Sequence, residues 1–209
     1  MAASESAAEH WEGVYRATPV ERASWYRRHL DRSVQWIEEA AAGRRDAAIL
    51  DAGGGASTLI DDLLARGFTC VTVLDIAAPA LEQAKRRLGP DAGRVKWIMG
   101  DVTAAELPGG AFDIWHDRAV YHFLTKAEER AAYVENVARS LKPRGQVIMG
   151  TFGPEGPTVC SGLDVRRYDA ARLSKEFGDR FALTESATEL HRTPSGGTQQ
   201  FLYCHFRMV

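Results

Sequence analysis

Short apolar runs alternate along this chain with longer stretches in which apolar residues recur every three or four positions. The runs at 47–50, 70–75, 94–99, 111–117 and 146–152 read as buried strands, and the stretches at 58–66, 78–88 and 126–141 as helices that join them. Strand and helix in strict alternation call for a mostly parallel sheet covered on both faces. After a loop at 153–164 the pattern changes. A helix at 169–177 leads into two strands, 181–191 and 198–207, on either side of Pro194-Ser195-Gly196-Gly197, which is an antiparallel hairpin. Ahead of the first strand, 4–17 and 20–42 read as two helices, broken at Thr18-Pro19 and stopped at Gly43. Trp11 and Tyr15 share one helix face, and Trp25, Tyr26 and His29 fall in the second helix. These residues form either a lid or a packing layer. The expected organisation is one domain over 1–209, with N-terminal helices at 1–45 and a ligand-binding core at 46–209.

Candidate chemistry starts where the first strand ends. Asp51-Ala52-Gly53-Gly54-Gly55-Ala56-Ser57 is a glycine-rich turn between a buried strand and a helix, the arrangement that brings a ligand against backbone N–H groups. Thr58 stands where a dinucleotide fingerprint needs its third glycine, and Asp51 would repel a pyrophosphate while suiting a cationic ligand. Asp75 closes the second strand near the spacing of about 20 residues at which a carboxylate receives ribose hydroxyls. The alternative is that it caps the helix at 78–88. Ile76 then flanks a base.

The run D-A-G-G-G-A-S resembles the first motif, [D/E]-x-G-x-G-x-[G/S], of the class I S-adenosylmethionine-dependent methyltransferases, with Asp51, Gly53, Gly55 and Ser57 in its positions. That resemblance covers the chain from about Ala47 onward. It implies a Rossmann-like doubly wound α/β sheet of seven strands whose last strand lies between the fifth and sixth, and S-adenosyl-L-methionine as cofactor. It further implies that the glycine turn holds the methionine part, that Asp101 meets the adenine amino group, or else caps a short helix, and that Val102 packs on the ring. Lys142-Pro143-Arg144-Gly145 resembles the family's L-K-P-G-G turn with Arg144 in place of a glycine. Trp11 and Tyr15 resemble an N-terminal aromatic signature that closes over cofactor and substrate entrance.

In an open parallel sheet the reacting groups sit at the carboxyl ends of the strands, so the segment after the fourth strand should face the acceptor. His116 and His122 are candidate bases there, with Asp117 or Tyr121 to orient them; a structural role is the alternative for each histidine. His29, Arg166, Tyr168 and His191 are further acceptor-side candidates, and Cys160 lies in a loop. No [N/D]-P-P-[Y/F/W] run occurs in this segment, which argues against methylation of DNA bases. Asp117-Arg118-Ala119-Val120-Tyr121 resembles a segment of protein-lysine methyltransferases. The leading expectation is methyl transfer to a small-molecule O, N or S acceptor by direct displacement. A protein-lysine N-methyltransferase is the alternative, followed by an NAD-dependent oxidoreductase or a non-catalytic cofactor-binding module.

Composition narrows this only slightly. The 209 residues carry a formal net charge of -2 and 45% hydrophobic residues, so nothing favours nucleic acid. No apolar run reaches membrane-spanning length and the start lacks a signal-peptide pattern, which points to a cytoplasmic protein, monomeric or weakly dimeric. The three cysteines are far apart, so neither a disulfide framework nor a metal site is expected.

Overall fold

The computed structural model describes residues 6–209. Its main sheet contains β1 (Ile49–Ala52), β2 (Val71–Asp75), β3 (Val95–Met99), β4 (Phe112–Arg118) and β5 (Leu141–Phe152). A ribbon of β6 (Val159–Cys160) and β7 (Leu163–Asp164) follows, and then the hairpin β8 (Phe181–Arg192) and β9 (Thr198–Met208) completes the sheet. The strand order is β3-β2-β1-β4-β5-β9-β8. The first five strands are parallel, and β9 runs antiparallel between β5 and β8, so the last strand is inserted as expected.

Because the strands are buried on both faces, neighbouring residues feed opposite cores. Ile49 faces the core made with α2 (Asp31–Ala41), α3 (Leu59–Ala65) and α4 (Ala78–Leu88), whereas Leu50 faces the one made with α5 (Ala127–Ser140) and α6 (Ala170–Phe177). Fully buried Trp36 on α2 sets its indole edge-on to Tyr203 and stacks on His205, which fixes α2 to β9. Burying such side chains stabilises the fold by about 1.5–3 kcal/mol each.

The N-terminal segment departs from the expectation. The first helix, α1 (Ala7–Ala17), starts at a capping box in which Glu9 N–H donates to Ser6 Oγ and Ser6 N–H to Glu9 Oε2. The expected start at Ser4 lies outside the described residues. The expected helix at 20–42 is split into a single turn, Val20–Arg22, an irregular stretch, and α2. The reason is tertiary: the carbonyls of Ser24, Trp25 and Arg27 accept from His191, Arg118 and Thr58, so they are committed outside any helix.

The fifth strand begins earlier than expected, because Leu141 already pairs with Phe112 before the register shifts and Gln146 meets Ile114. Arg144 absorbs that irregularity at a φ of 64°, a left-handed conformation that costs an L side chain about 1–2 kcal/mol. Arg144→Gly is therefore expected to stabilise the protein by about 0.5–1 kcal/mol, read as a raised midpoint in thermal or urea unfolding.

Candidate functional site

The chain runs outward from β1 to β3 and returns to β4 beside β1, so the sheet's switch point lies between β1 and β4. A cavity of about 360 Å³ opens there, lined by the turns after β1, β2, β3 and β4 and covered by α1. Its size falls in the range of small-molecule sites, about 300–1,000 Å³.

The glycine turn forms one wall. Gly53 has a φ of 65°, and a Cβ on it would lie 1.9 Å from Val120 Cγ2, so the turn can close only on a bare backbone. Gly55, at a φ of 40°, would place a Cβ 2.6 Å from Asp75 Oδ2 and 3.0 Å from the Tyr15 hydroxyl. The missing side chain at Gly55 is what leaves the Asp75 carboxylate open to the cavity.

Asp75 is 7% exposed, and its Oδ1 accepts from the Ala77 N–H at 2.8 Å at the start of α4. Burial pushes its carboxyl up to about 7, against the pull of that N–H, and the nearby Asp51 charge adds to the rise. Asp75 thus caps and faces the cavity at once. Ile76, Asp101 and Val102 line the same side, and Trp11 and Tyr15 approach from α1. Asp101 Oδ1 accepts from the N–H and hydroxyl of Thr103, which closes a turn and not the short helix that was the alternative. Trp11 meets Trp25 and Phe123 edge-on, and burial raises the Tyr15 phenol well above its ordinary range.

Asp51 lies one layer deeper. Its Oδ1 is 2.7 Å from His116 Nδ1, and His116 Nε2 is 2.9 Å from Ser33 Oγ. The other oxygen, Oδ2, is buried without a partner and borders a recess of about 40 Å³ shared with Gly53, Gly54 and Ser57. Ser57 Oγ accepts from Leu59 N–H and so helps start α3.

The four residues expected to be catalytic do not line the main cavity. Both ring nitrogens of His116 are occupied beneath the sheet end, as above. Asp117 is fully buried and accepts from the N–H groups of Val120 and Tyr121 and from the Tyr133 hydroxyl, an anchor for the turn after β4. Tyr121 packs among Tyr133, Tyr168 and Phe177 in the second core. His122 stacks on Phe152, and its Nδ1 accepts from the Phe152 N–H. Burial takes this imidazole down to about 3, with Arg118 adding to the effect, so it stays neutral in ordinary buffers. In this geometry none of the four side chains lines the main cavity, where a base would have to reach a ligand.

His29, Arg166, Tyr168 and His191 are also away from the cavity: His29 pairs with Asp62, Arg166 donates to the Tyr168 hydroxyl, and His191 bonds the Ser24 carbonyl. What the sequence reading did not bring together is one wall of the cavity, where Phe123, Phe152, Leu163 and Arg118 join Trp25 and Cys160. Arg118 carried a signal, being the one cation in the segment that follows the fourth apolar run. Among the described residues no group of His, Cys, Asp and Glu could hold a metal ion, and no helix is long and apolar enough to cross a membrane.

A glycine turn, a strand-end carboxylate and a cavity at the switch point define an α/β protein that binds a nucleoside-type ligand. Residues 49–145 match the model of a family described as a methyltransferase domain. An uncharacterized methyltransferase of Mycobacterium tuberculosis is 31% identical over 115 residues, which are 55% of this chain and 54% of that protein. A malonyl-[acyl-carrier protein] O-methyltransferase of Halorhodospira halophila is 27% identical over 171 residues, 74% of this chain and 56% of that protein. The chain thus spans about half the length of these curated relatives. The solved 1,6-didemethyltoxoflavin-N1-methyltransferase of Burkholderia thailandensis, with 1,6-didemethyltoxoflavin and S-adenosylhomocysteine bound, superposes with a TM-score of 0.70 at 20% identity. That match covers 100% of this chain and 93% of the other, and it establishes the common fold. Residues 49–145 thus match a methyltransferase domain, and the whole chain has the Rossmann-like architecture of solved S-adenosylmethionine-dependent methyltransferases.

Proposed function

We propose that this protein binds S-adenosylmethionine in the switch-point cavity and transfers its methyl group to a small-molecule acceptor. The observation that carries the reading is the Asp75 carboxylate, which lines the cavity beside Gly55 and could accept from a vicinal diol. The unpartnered Asp51 Oδ2 fits an ammonium group at the far side of the glycine turn. Gly53, with no side chain, leaves room beside it, Ile76 and Val102 offer apolar surface to a base, and Asp101 offers an acceptor to its amino group.

Bound there, the cofactor supplies a methyl on a sulfonium centre, which an acceptor lone pair takes as the carbon–sulfur bond breaks and its electron pair returns to sulfur. This chain's residues contribute alignment and dryness. Trp11, Trp25, Phe123 and Phe152 wall the acceptor end and exclude water, and positioning of this kind can supply up to about 7–11 kcal/mol of the barrier. No side chain poised as a base lines that end. This suits an acceptor that is already nucleophilic in its bound form, such as a carboxylate, a thiolate or an unprotonated ring nitrogen. A cavity of about 360 Å³ also favours a small acceptor over a segment of protein.

Titration calorimetry with S-adenosylmethionine, S-adenosylhomocysteine and NAD tests the assignment: the two adenosyl ligands should bind and NAD should not. Binding of NAD alone would return the chain to the oxidoreductases. A pH series gives a sharper check. Ribose hydroxyls donate to the ionised Asp75 carboxylate, so affinity for S-adenosylhomocysteine should rise with pH through about 7 and proton release should accompany binding below it. The unliganded protein should lose stability over the same interval from about pH 4 to 7, because its folded state favours the protonated carboxyl. Calorimetry in two buffers of different ionisation enthalpy reads the released proton, and Asp75→Asn should abolish it.

A further inference from the structure

Arg118 leaves the end of β4, crosses β5 and comes to rest over β9. Its Nε donates to the Tyr203 hydroxyl at 3.0 Å, its Nη1 to the Trp25 carbonyl at 2.9 Å, and its guanidinium lies 4.4 Å from the centre of the Phe201 ring. Gly150 on β5 makes the crossing possible, since a Cβ there would press on Arg118 Cγ at 3.2 Å. The remaining nitrogen, Nη2, is buried with no partner, and among the described residues Arg118 forms no ion pair. Asp51, which borders the recess next to Arg118, keeps Oδ2 unpartnered yet forms no ion pair with it, and the other carboxylates nearby are committed elsewhere. Asp117 serves the turn after β4, Glu129 pairs with Lys126, and Glu189 pairs with Arg27. The two nearby imidazoles, His122 and His191, are lowered by burial and by Arg118 itself, so they carry no compensating chemistry. Arg118 is part-buried, and its unpartnered Nη2 is a donor that a carboxylate is well shaped to take.

We propose that the methyl acceptor carries a carboxylate on an apolar body, and that Arg118 holds that carboxylate through its free Nη2 edge. The inference rests on the reading of the cavity as a methyl-transfer site and names its acceptor class. Arg118 lines the cavity beside Phe152, Cys160 and Leu163, so the anionic group lies at the β5–β9 side with the apolar body against these residues. Arg118 also borders the recess next to Asp51, which raises the rival occupant, the carboxylate of the cofactor's own amino-acid end. Two of the guanidinium's three partners point away from it, while the third, the Trp25 carbonyl, belongs to a residue that borders both the cavity and the recess. Tyr203 and Phe201 are on β9, three strands from Asp51 on β1, and at a strand spacing of about 4.8 Å this is about 14 Å.

The test uses the whole protein saturated with S-adenosylhomocysteine and three matched pairs of probes, namely benzoate and benzamide, cinnamate and cinnamamide, and indole-3-acetate and indole-3-acetamide, titrated by calorimetry. At least one acid should bind tenfold or more tightly than its amide. Arg118→Met should erase that preference, and Arg118→Lys, which keeps the charge, should retain most of it. Acids that bind no better than their amides in every pair overturn the inference while leaving the cofactor assignment intact, and this comparison needs no variant to fold. Weaker binding of S-adenosylhomocysteine to Arg118→Met with unchanged binding of 5′-methylthioadenosine, which lacks the amino-acid end, also overturns it. Failure of S-adenosylhomocysteine to bind the unmodified protein at all removes the reading beneath it.

Discussion

Replacing Asp75 by alanine is expected to weaken binding of S-adenosylhomocysteine by about 1–3 kcal/mol, roughly 5- to 150-fold, the scale for hydrogen bonds to a charged group. The fold should survive the change. Asp75 accepts from backbone N–H groups alone, chiefly that of Ala77 at the start of α4 with lesser contributions from Gly55 and Ile76, and in the unliganded protein its ionised form is disfavoured by burial. Asp75→Ala is therefore expected to cost little stability near pH 8, or even to gain some, while affinity collapses. Calorimetry and thermal unfolding on the same sample separate the two effects. Unchanged affinity in a folded variant would remove the diol from this position and with it the orientation of the ligand in the cavity.

The opposite pattern is expected at Asp117. Its two oxygens receive the N–H groups of Val120 and Tyr121 and the Tyr133 hydroxyl, all away from water. Asp117→Ala leaves several buried donors unsatisfied at about 1–3 kcal/mol each, so a total loss of about 3–5 kcal/mol is expected. For a chain of this size that corresponds to a midpoint lowered by about 6–20 °C. Tyr133→Phe removes one of the three donors and also leaves the buried Trp115 Nε1–H without its acceptor, and should cost about 2–4 kcal/mol. If Asp117→Ala kept its unfolding midpoint and lost only turnover, the carboxylate would be part of the chemistry after all, and the sequence expectation for it would be restored.

These two aspartates show why the sequence could be read in one respect and not in the other. Both lie at or next to the carboxyl end of a strand of the parallel sheet, where ligands bind. Asp75 faces the cavity because its neighbour in space, Gly55, has no side chain. Asp117 points into the second core because a tyrosine from α5 reaches it. Nothing local to either residue distinguishes them. The same holds for His116 and His122, each a plausible base in a polar segment. The decisive facts are a serine on α2, an aspartate on β1 and the backbone of β5, all distant in sequence.

What the sequence determined by itself is the alternation of elements, the two-faced burial of the strands, the glycine turn with Asp51 before it, and the hairpin that closes the sheet. Each depends on periods of two and 3.6 residues or on backbone conformations that only glycine adopts freely, and both are local properties. The tertiary structure alone decided the break between Val20–Arg22 and α2, where three carbonyls find partners more than 30 positions away, and the course of Arg118 across β5 to β9. It also gathered Trp25, Phe123, Phe152 and Leu163 into one apolar wall. Contacts between residues far apart in the chain, made in a space too dense for a second arrangement, have no counterpart in local periodicity.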